Sequence, residues 1–204
     1  MFSSKYDNST VTVHSGTTIS FHEEGEAEKT LIMLHGLNAH SGTWRKNVPH
    51  FSRRWRVLAL TLPRTSLETF RLDQYSELVH GVMNKLGVKF AAVIGNSMGG
   101  WIAMNLAVTH RERIRALVLE SSAGISQSRY GQSMGRMVNE TGLPVLIVWG
   151  EDDKVISVDQ GEMLNSQITN SLLVKMPGAG HASHWEKPNE FNTLTEKFLL
   201  SNDS

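Results

Sequence analysis

Ser97 stands in Gly95-Asn96-Ser97-Met98-Gly99, directly after the apolar run Ala91 to Ile94 and just before the apolar helical pattern Trp101 to Val108. That order reads as a strand, a sharp turn carrying a serine, and a helix. Glycines two residues either side of Ser97 remove Cβ atoms that would collide with a neighbouring strand or helix. Such a turn lifts the hydroxyl out of the sheet edge. It also sets the Met98 N–H at a helix N-terminus, where it meets a developing oxyanion.

A serine hydroxyl attacks a carbonyl at neutral pH only when a base takes its proton, and a carboxylate must orient that base. His181, in Pro177-Gly178-Ala179-Gly180-His181, follows the last apolar run and is the favoured histidine. Asp153, in Gly150-Glu151-Asp152-Asp153, follows the run before it and is favoured over the adjacent Asp152. Glu120, at the end of another run, is the alternative acid. A second oxyanion donor is expected from the Leu37 N–H, because Gly36 permits a close turn in His35-Gly36-Leu37-Asn38. His35 reads as an organiser of that turn. His184 reads as surface packing beside Trp185, and His22-Glu23-Glu24 as a solvated strand end with no second ligand at metal spacing.

Positioning these residues needs a sheet. Apolar runs at 31–34, 57–60, 91–94, 116–119, 145–148 and 172–174 read as buried parallel strands, after an opening hairpin around Ser15-Gly16. Helices are expected over 43–51, 73–86, 98–110, 159–165 and 189–200, with Asp73 and Asp159 as N-caps. Alternation of the two predicts an α/β doubly wound, mostly parallel sheet. Every candidate residue then falls at the carboxyl ends of its strands, where such sheets bind ligands. A dinucleotide loop would need glycine at position 97, which is serine.

The 204 residues, with no internal repeat or linker, fit a single domain spanning 1–204. Twenty basic and twenty acidic side chains cancel without long blocks, which argues against nucleic acid or an anionic membrane as partner. Cysteine is absent, which excludes disulfides and thiol catalysis. No apolar run reaches membrane-spanning length and the first residues lack a signal-like core, so a cytoplasmic protein is expected.

The His35-Gly36 turn, the Trp44 region, the serine turn, Gly150 to Asp153 and Gly180-His181 occur in one order over about residues 16–200. In that order the chain resembles the α/β-hydrolase superfamily. The resemblance implies Ser97 as nucleophile, His181 as base and Asp153 as acid, with Leu37 and Met98 N–H groups as the oxyanion hole and no cofactor or metal. Gly95 to Gly100 looks most like esterases and the carbon–carbon bond hydrolases of ring-cleavage products. Two departures stand out. The interval 121–143 allows only a reduced cap or lid, with Tyr130, Met134 and Met137 as an apolar wall. The loop Thr61-Leu62-Pro63-Arg64-Thr65-Ser66 replaces the Asp-x-Pro-Gly-x-Gly turn that supports the oxyanion turn in relatives. The expected activity is cleavage of small or medium carboxylic esters. Carbon–carbon hydrolysis or lactone hydrolysis is the first alternative, and a non-catalytic ligand sensor is the second.

Overall fold

The computed structural model describes residues 5–66, 68–125 and 129–202, and of residues 129–133 the backbone only. Strands β1 (Ser9–Thr12) and β2 (Thr18–Glu24) open the chain as an antiparallel hairpin. Then follow β3 (Thr30–Leu34), a 3-10 turn (Ser41–Trp44), α1 (Val48–Phe51), β4 (Arg56–Thr61) and α2 (Leu72–Lys85). The second half runs β5 (Ala91–Asn96), α3 (Met98–Thr109), β6 (Ile114–Glu120), α4 (Arg129–Glu140) and β7 (Val145–Gly150). It closes with α5 (Val158–Gln167), β8 (Ser171–Met176), α6 (Ser183–Glu186) and α7 (Pro188–Ser201). The strands form one sheet in the order β1-β2-β4-β3-β5-β6-β7-β8. From β4 to β8 all pairing is parallel.

Continuous apolar strands are what a sheet covered on both faces requires, because successive side chains point to opposite sides. In β3, Ile32 and Leu34 enter the core beneath α2 and α3, while Leu31 and Met33 enter the one beneath α1 and α7. β4 and β7 alternate in the same way. Each fully buried aliphatic side chain contributes roughly 1.5–3 kcal/mol, so these strands fix the register strongly.

The order of the strands also fixes where a ligand can sit. From β3 the chain goes to β4 on one side and then returns to β5 on the other. The crevice at such a switch point opens outside the carboxyl ends, here between His35 and Ser97.

Several expectations change. The helix over 43–51 is split, because Pro49 fits only a first helical turn and α1 restarts there. Asp73 and Asp159 lie inside their first turns, where they complement the helix dipole, and the caps are Arg71 and Ser157. β8 is an edge strand rather than a buried one: β7 pairs with it on one side, and Leu172 is 52% exposed. The short interval 121–143 contributes α4, which packs against α3 and α5, and in keeping with the minimal or absent cap expected there no cap domain is evident among the described residues. No described helix is long and apolar enough to cross a membrane.

α3 lies unusually close to the sheet. A Cβ on Gly99 would come within 2.2 Å of the Leu34 carbonyl oxygen, and one on Gly95 within 2.4 Å of the Gly99 backbone. Both neighbours are main chain and cannot rotate away. Gly99→Ala is therefore expected to destabilise the fold by about 1–3 kcal/mol, read as a lower urea midpoint at unchanged slope.

Candidate active site

Ser97 sits between β5 and α3 at φ 54° and ψ −116°, a strained conformation for a residue with a side chain. Backbone bonds hold it there. Its N–H donates to the Glu120 carbonyl at 2.9 Å, and its carbonyl accepts from Gly100 and Ala123, each at 3.0 Å. The hydroxyl-bearing residue is half-buried at the mouth of a cavity of about 670 Å³.

His181 lines the same cavity. Its Nδ1 lies 2.8 Å from Asp153 Oδ2, and the Asp153 side chain is fully buried. Asp153 Oδ1 accepts the N–H groups of Val155 and Ile156 at 2.8 and 3.0 Å. Burial pushes the Asp153 carboxyl up, but those two amides and the His181 ring outweigh it and hold the group below the ordinary carboxylate range. The loops that carry Asp153 and His181 are tied through main chain, Glu151 N–H to Met176 and Asp152 N–H to Ala179. Asp152 itself is exposed. No hydrogen bond joins the Ser97 hydroxyl to His181 among the described residues; such bonds commonly tighten when substrate arrives.

The His35-Gly36 turn packs directly on the serine turn. A Cβ on Gly36 would meet Asn96 Oδ1 at 3.0 Å and Ser97 Cβ at 3.4 Å. Leu37 is therefore seated beside Ser97 in the cavity wall, and Met98 opens α3, where a helical N–H has no internal acceptor. The altered loop after β4 supports this turn by its own route. Leu62 N–H donates to His35 Nε2 at 2.9 Å, and Thr65 N–H donates to Asn38 Oδ1 at 3.3 Å. With Nε2 accepting, the proton sits on Nδ1, which donates to the Gly36 carbonyl at 2.7 Å. Burial lowers the His35 pKa to about 4, so the ring is neutral and organises the turn.

Two histidine and carboxylate assignments change. His184 is buried, not at the surface: its Nδ1 lies 2.6 Å from Glu120 Oε2 and its ring tilts against Trp44 at 4.1 Å. Glu120 thereby serves His184 and does not reach His181. Neither of the two wall residues whose side chains are described is brought to the cavity. Met134 is packed in the core beneath α3, Met137 is solvent-exposed, and the Tyr130 side chain lies outside the described residues. Met134 sits on the face of α4 that closes the core, so its spacing reports packing. The cavity is lined instead by Leu37, Ala39, Val155, Ala182, Trp185 and Arg45, among others. Trp185 carries the Arg45 guanidinium over its ring at 4.3 Å. Sequence spacing missed Arg45 because nothing in a helical or strand period marks a loop cation.

Away from this cavity, Glu77, His80 and His110 bring ligand atoms within 4.8 Å of one another. The two rings are stacked at 3.6 Å, so their in-plane lone pairs run side by side and do not converge. Arg113 also donates to His80 Nε2 at 3.0 Å. These contacts make the cluster a tie between the middle of α2 and the end of α3, a poor cation site. His22 likewise stacks on Tyr6 at 3.9 Å and is not a free strand end.

A profile described as the alpha/beta hydrolase fold matches residues 29–131 and 123–188. A 2-hydroxy-6-oxononadienedioate/2-hydroxy-6-oxononatrienedioate hydrolase of Comamonas testosteroni is 25% identical over 266 aligned positions, covering 92% of this chain and 93% of that protein. The alignment is longer than the 204 residues here, so that relative carries insertions this chain lacks. Among solved structures, a meta-cleavage product hydrolase of Pseudomonas fluorescens superposes with a TM-score of 0.85 at 18% identity, covering 97% of this chain and 99% of that one. An enol-lactonase of Burkholderia xenovorans gives 0.84 at 18% identity, covering 94% and 100%.

The neutral, buried His35 makes a prediction about acid. Folded, it takes a proton only near pH 4; unfolded, near 6.5. Between these values the unfolded chain binds the proton and the folded one does not. Stability therefore rises with pH through this window and is lost on acidification, by about 3 kcal/mol for this group. Urea unfolding at pH 4 and pH 7 should show that loss in the parent. His35→Gln keeps one donor and one acceptor but cannot titrate, and should show a pH difference smaller by most of that amount.

Proposed function

Because the chain belongs to the α/β-hydrolase family, we propose that Ser97 is the nucleophile of a hydrolase that attacks an activated carbonyl. One observation carries this reading: a strained serine at the sheet switch point shares a cavity with a histidine held by a buried carboxylate. In the proposed cycle the His181 Nε2 takes the Ser97 proton while Asp153 stabilises the charged ring. The oxyanion rests on the Leu37 and Met98 N–H groups, which gain most when charge develops. His181 then protonates the leaving group, and the acyl-enzyme is released by water activated by the same base. No step is assigned to a metal or cofactor. The substrate is a small molecule.

For the substrate, we favour carbonyl compounds that carry a free carboxylate, of the keto-acid or lactone kind, over simple esters. The named relatives act on an unsaturated dioate or an enol lactone, which supports this class. Arg45 supports it independently. Arg45 lines the cavity with Ser97 and His181, its guanidinium lies over the Trp185 ring, and no Asp or Glu lines that cavity among the described residues. Ester hydrolysis is the second reading, favoured by the uncapped site: Val155 on the rim is 70% exposed, so neutral acyl groups enter freely.

Three comparisons test the proposal. A fluorophosphonate probe should label the parent and not Ser97→Ala; labelling that persists in the variant removes Ser97 from the mechanism. Asp153→Asn should lower kcat by about 10³–10⁴-fold with the fold intact, since His181 loses its orienting partner. Arg45→Gln should raise KM for a vinylogous diketo acid roughly 10–100-fold, the range for a charge-assisted hydrogen bond, and leave KM for a nitrophenyl ester within about threefold. Equal effects on both substrates would argue for the ester reading.

A further inference from the structure

Glu120 is a fully buried carboxylate at the end of β6, and both of its oxygens are taken by one residue. Oε1 accepts the His184 N–H at 2.7 Å, and Oε2 meets His184 Nδ1 at 2.6 Å. Its own carbonyl accepts the Ser97 N–H at 2.9 Å. A single strand residue thus grips the backbone of the proposed nucleophile and a residue three positions beyond the proposed base. We propose that Glu120, acting through His184, is a positioning residue that sets the reach of His181 to Ser97. The proposal rests on the reading of Ser97 and His181 as nucleophile and base.

The loop around His181 has no regular structure, so side chains satisfy its backbone. Glu186 accepts the N–H groups of Gly180 and Ala182 at 2.7 and 3.2 Å. Glu186 closes the short α6 that follows directly and travels with the loop, so these bonds give the segment its shape and not its place. Place needs a hold from the sheet. Asn96 on β5 supplies one, donating to the His181 carbonyl at 3.0 Å, and Glu120 on β6 supplies the other. His184 is further restrained by Asn47, which donates to its carbonyl at 3.0 Å, and by the Trp44 ring. Its Nε2 has no hydrogen-bond partner among the described residues, so Nδ1 and stacking alone orient the ring.

Energetics also point to geometry over stability. A buried carboxylate with a buried imidazole gains little over an apolar pair of similar volume, because both groups are desolvated. What the pair does supply is direction: two short hydrogen bonds at a fixed separation, from a strand that cannot move. Displacement of a catalytic group by about 1 Å costs on the order of 10²-fold in rate, so a hold of this kind acts on kcat.

Glu120→Gln, His184→Leu and His184→Gln test it, with active sites counted by fluorophosphonate labelling and turnover measured on a nitrophenyl ester. For Glu120→Gln and His184→Leu, kcat per labelled site should fall roughly 10–100-fold with KM within about threefold. Amide exchange over 180–184 should quicken. His184→Gln restores an N–H that reaches Glu120 and should recover kcat at least tenfold over His184→Leu. A merely structural role lowers the fraction labelled and the melting temperature but leaves kcat per labelled site within twofold. That outcome, with unchanged exchange over 180–184, would overturn the proposal. A parent that is not labelled at Ser97 sinks the nucleophile assignment instead. The two failures are distinguishable, because exchange reads the hold on the loop without any chemistry.

Discussion

The contact on which the rest depends is main chain against main chain: the first turn of α3 pressed onto the ends of β3 and β5. Gly95 and Gly99 allow it, since any Cβ there would enter a neighbouring backbone. The approach forces the intervening Ser97 to positive φ, because the chain must reverse from strand to helix within one residue. That strain, of order 1–3 kcal/mol, persists only where the surroundings over-determine it. Here they do. Ser97 is bonded through both its N–H and its carbonyl to the strand ends and turns around it. Helix dipole, Ser97 hydroxyl and the His35-Gly36 turn are all placed by this one close packing.

Around that fixed point, the other groups are held by polar side chains on irregular loops. A loop over a sheet edge leaves its N–H and carbonyl groups without ladder partners, and buried ones must be satisfied. Asp153, Asn96, Glu186, Glu120 and Asn47 do so for the turns at 153–156 and 180–184. His35 does the same for the turn at 35–38, using both ring nitrogens. The site is thus rigid without regular structure. Each polar residue in it costs desolvation and returns direction, which suits chemistry that depends on fractions of an ångström.

This division explains what was legible in the sequence. Strand runs such as Leu31 to Leu34 and the turn at Ser97 are local: apolarity and glycine spacing dictate them from adjacent residues. Asp153 and His181 were legible because each follows a strand end, so topology alone brings them to one edge. Glu120 and His184 were not, although both are polar residues in plain view. Their pairing spans 64 positions and depends on how the last loop folds back, which no period encodes. Met134 failed for the opposite reason: an amphipathic helix offers one apolar face, and the sheet took it before any substrate could. The split at Pro49 and the caps at Arg71 and Ser157 are boundary effects, which move by a residue or two without changing the packing.

The missing cap shifts the burden of selection. A lid selects by enclosure and by excluding water, which strengthens every electrostatic contact within. With α4 packed against α3 and α5, Val155 in the cavity wall is left 70% exposed. Shape selection then weakens, since an unenclosed methylene loses little by pointing to solvent. Charge acts over longer distances than fit and tolerates an open mouth, although water and salt reduce it. Arg45 is the cation proposed for such a mouth: Trp185, which lines the same cavity, stacks against its guanidinium without neutralising it. Under the proposed reading, recognition by Arg45 offsets part of the selectivity that a cap would otherwise provide.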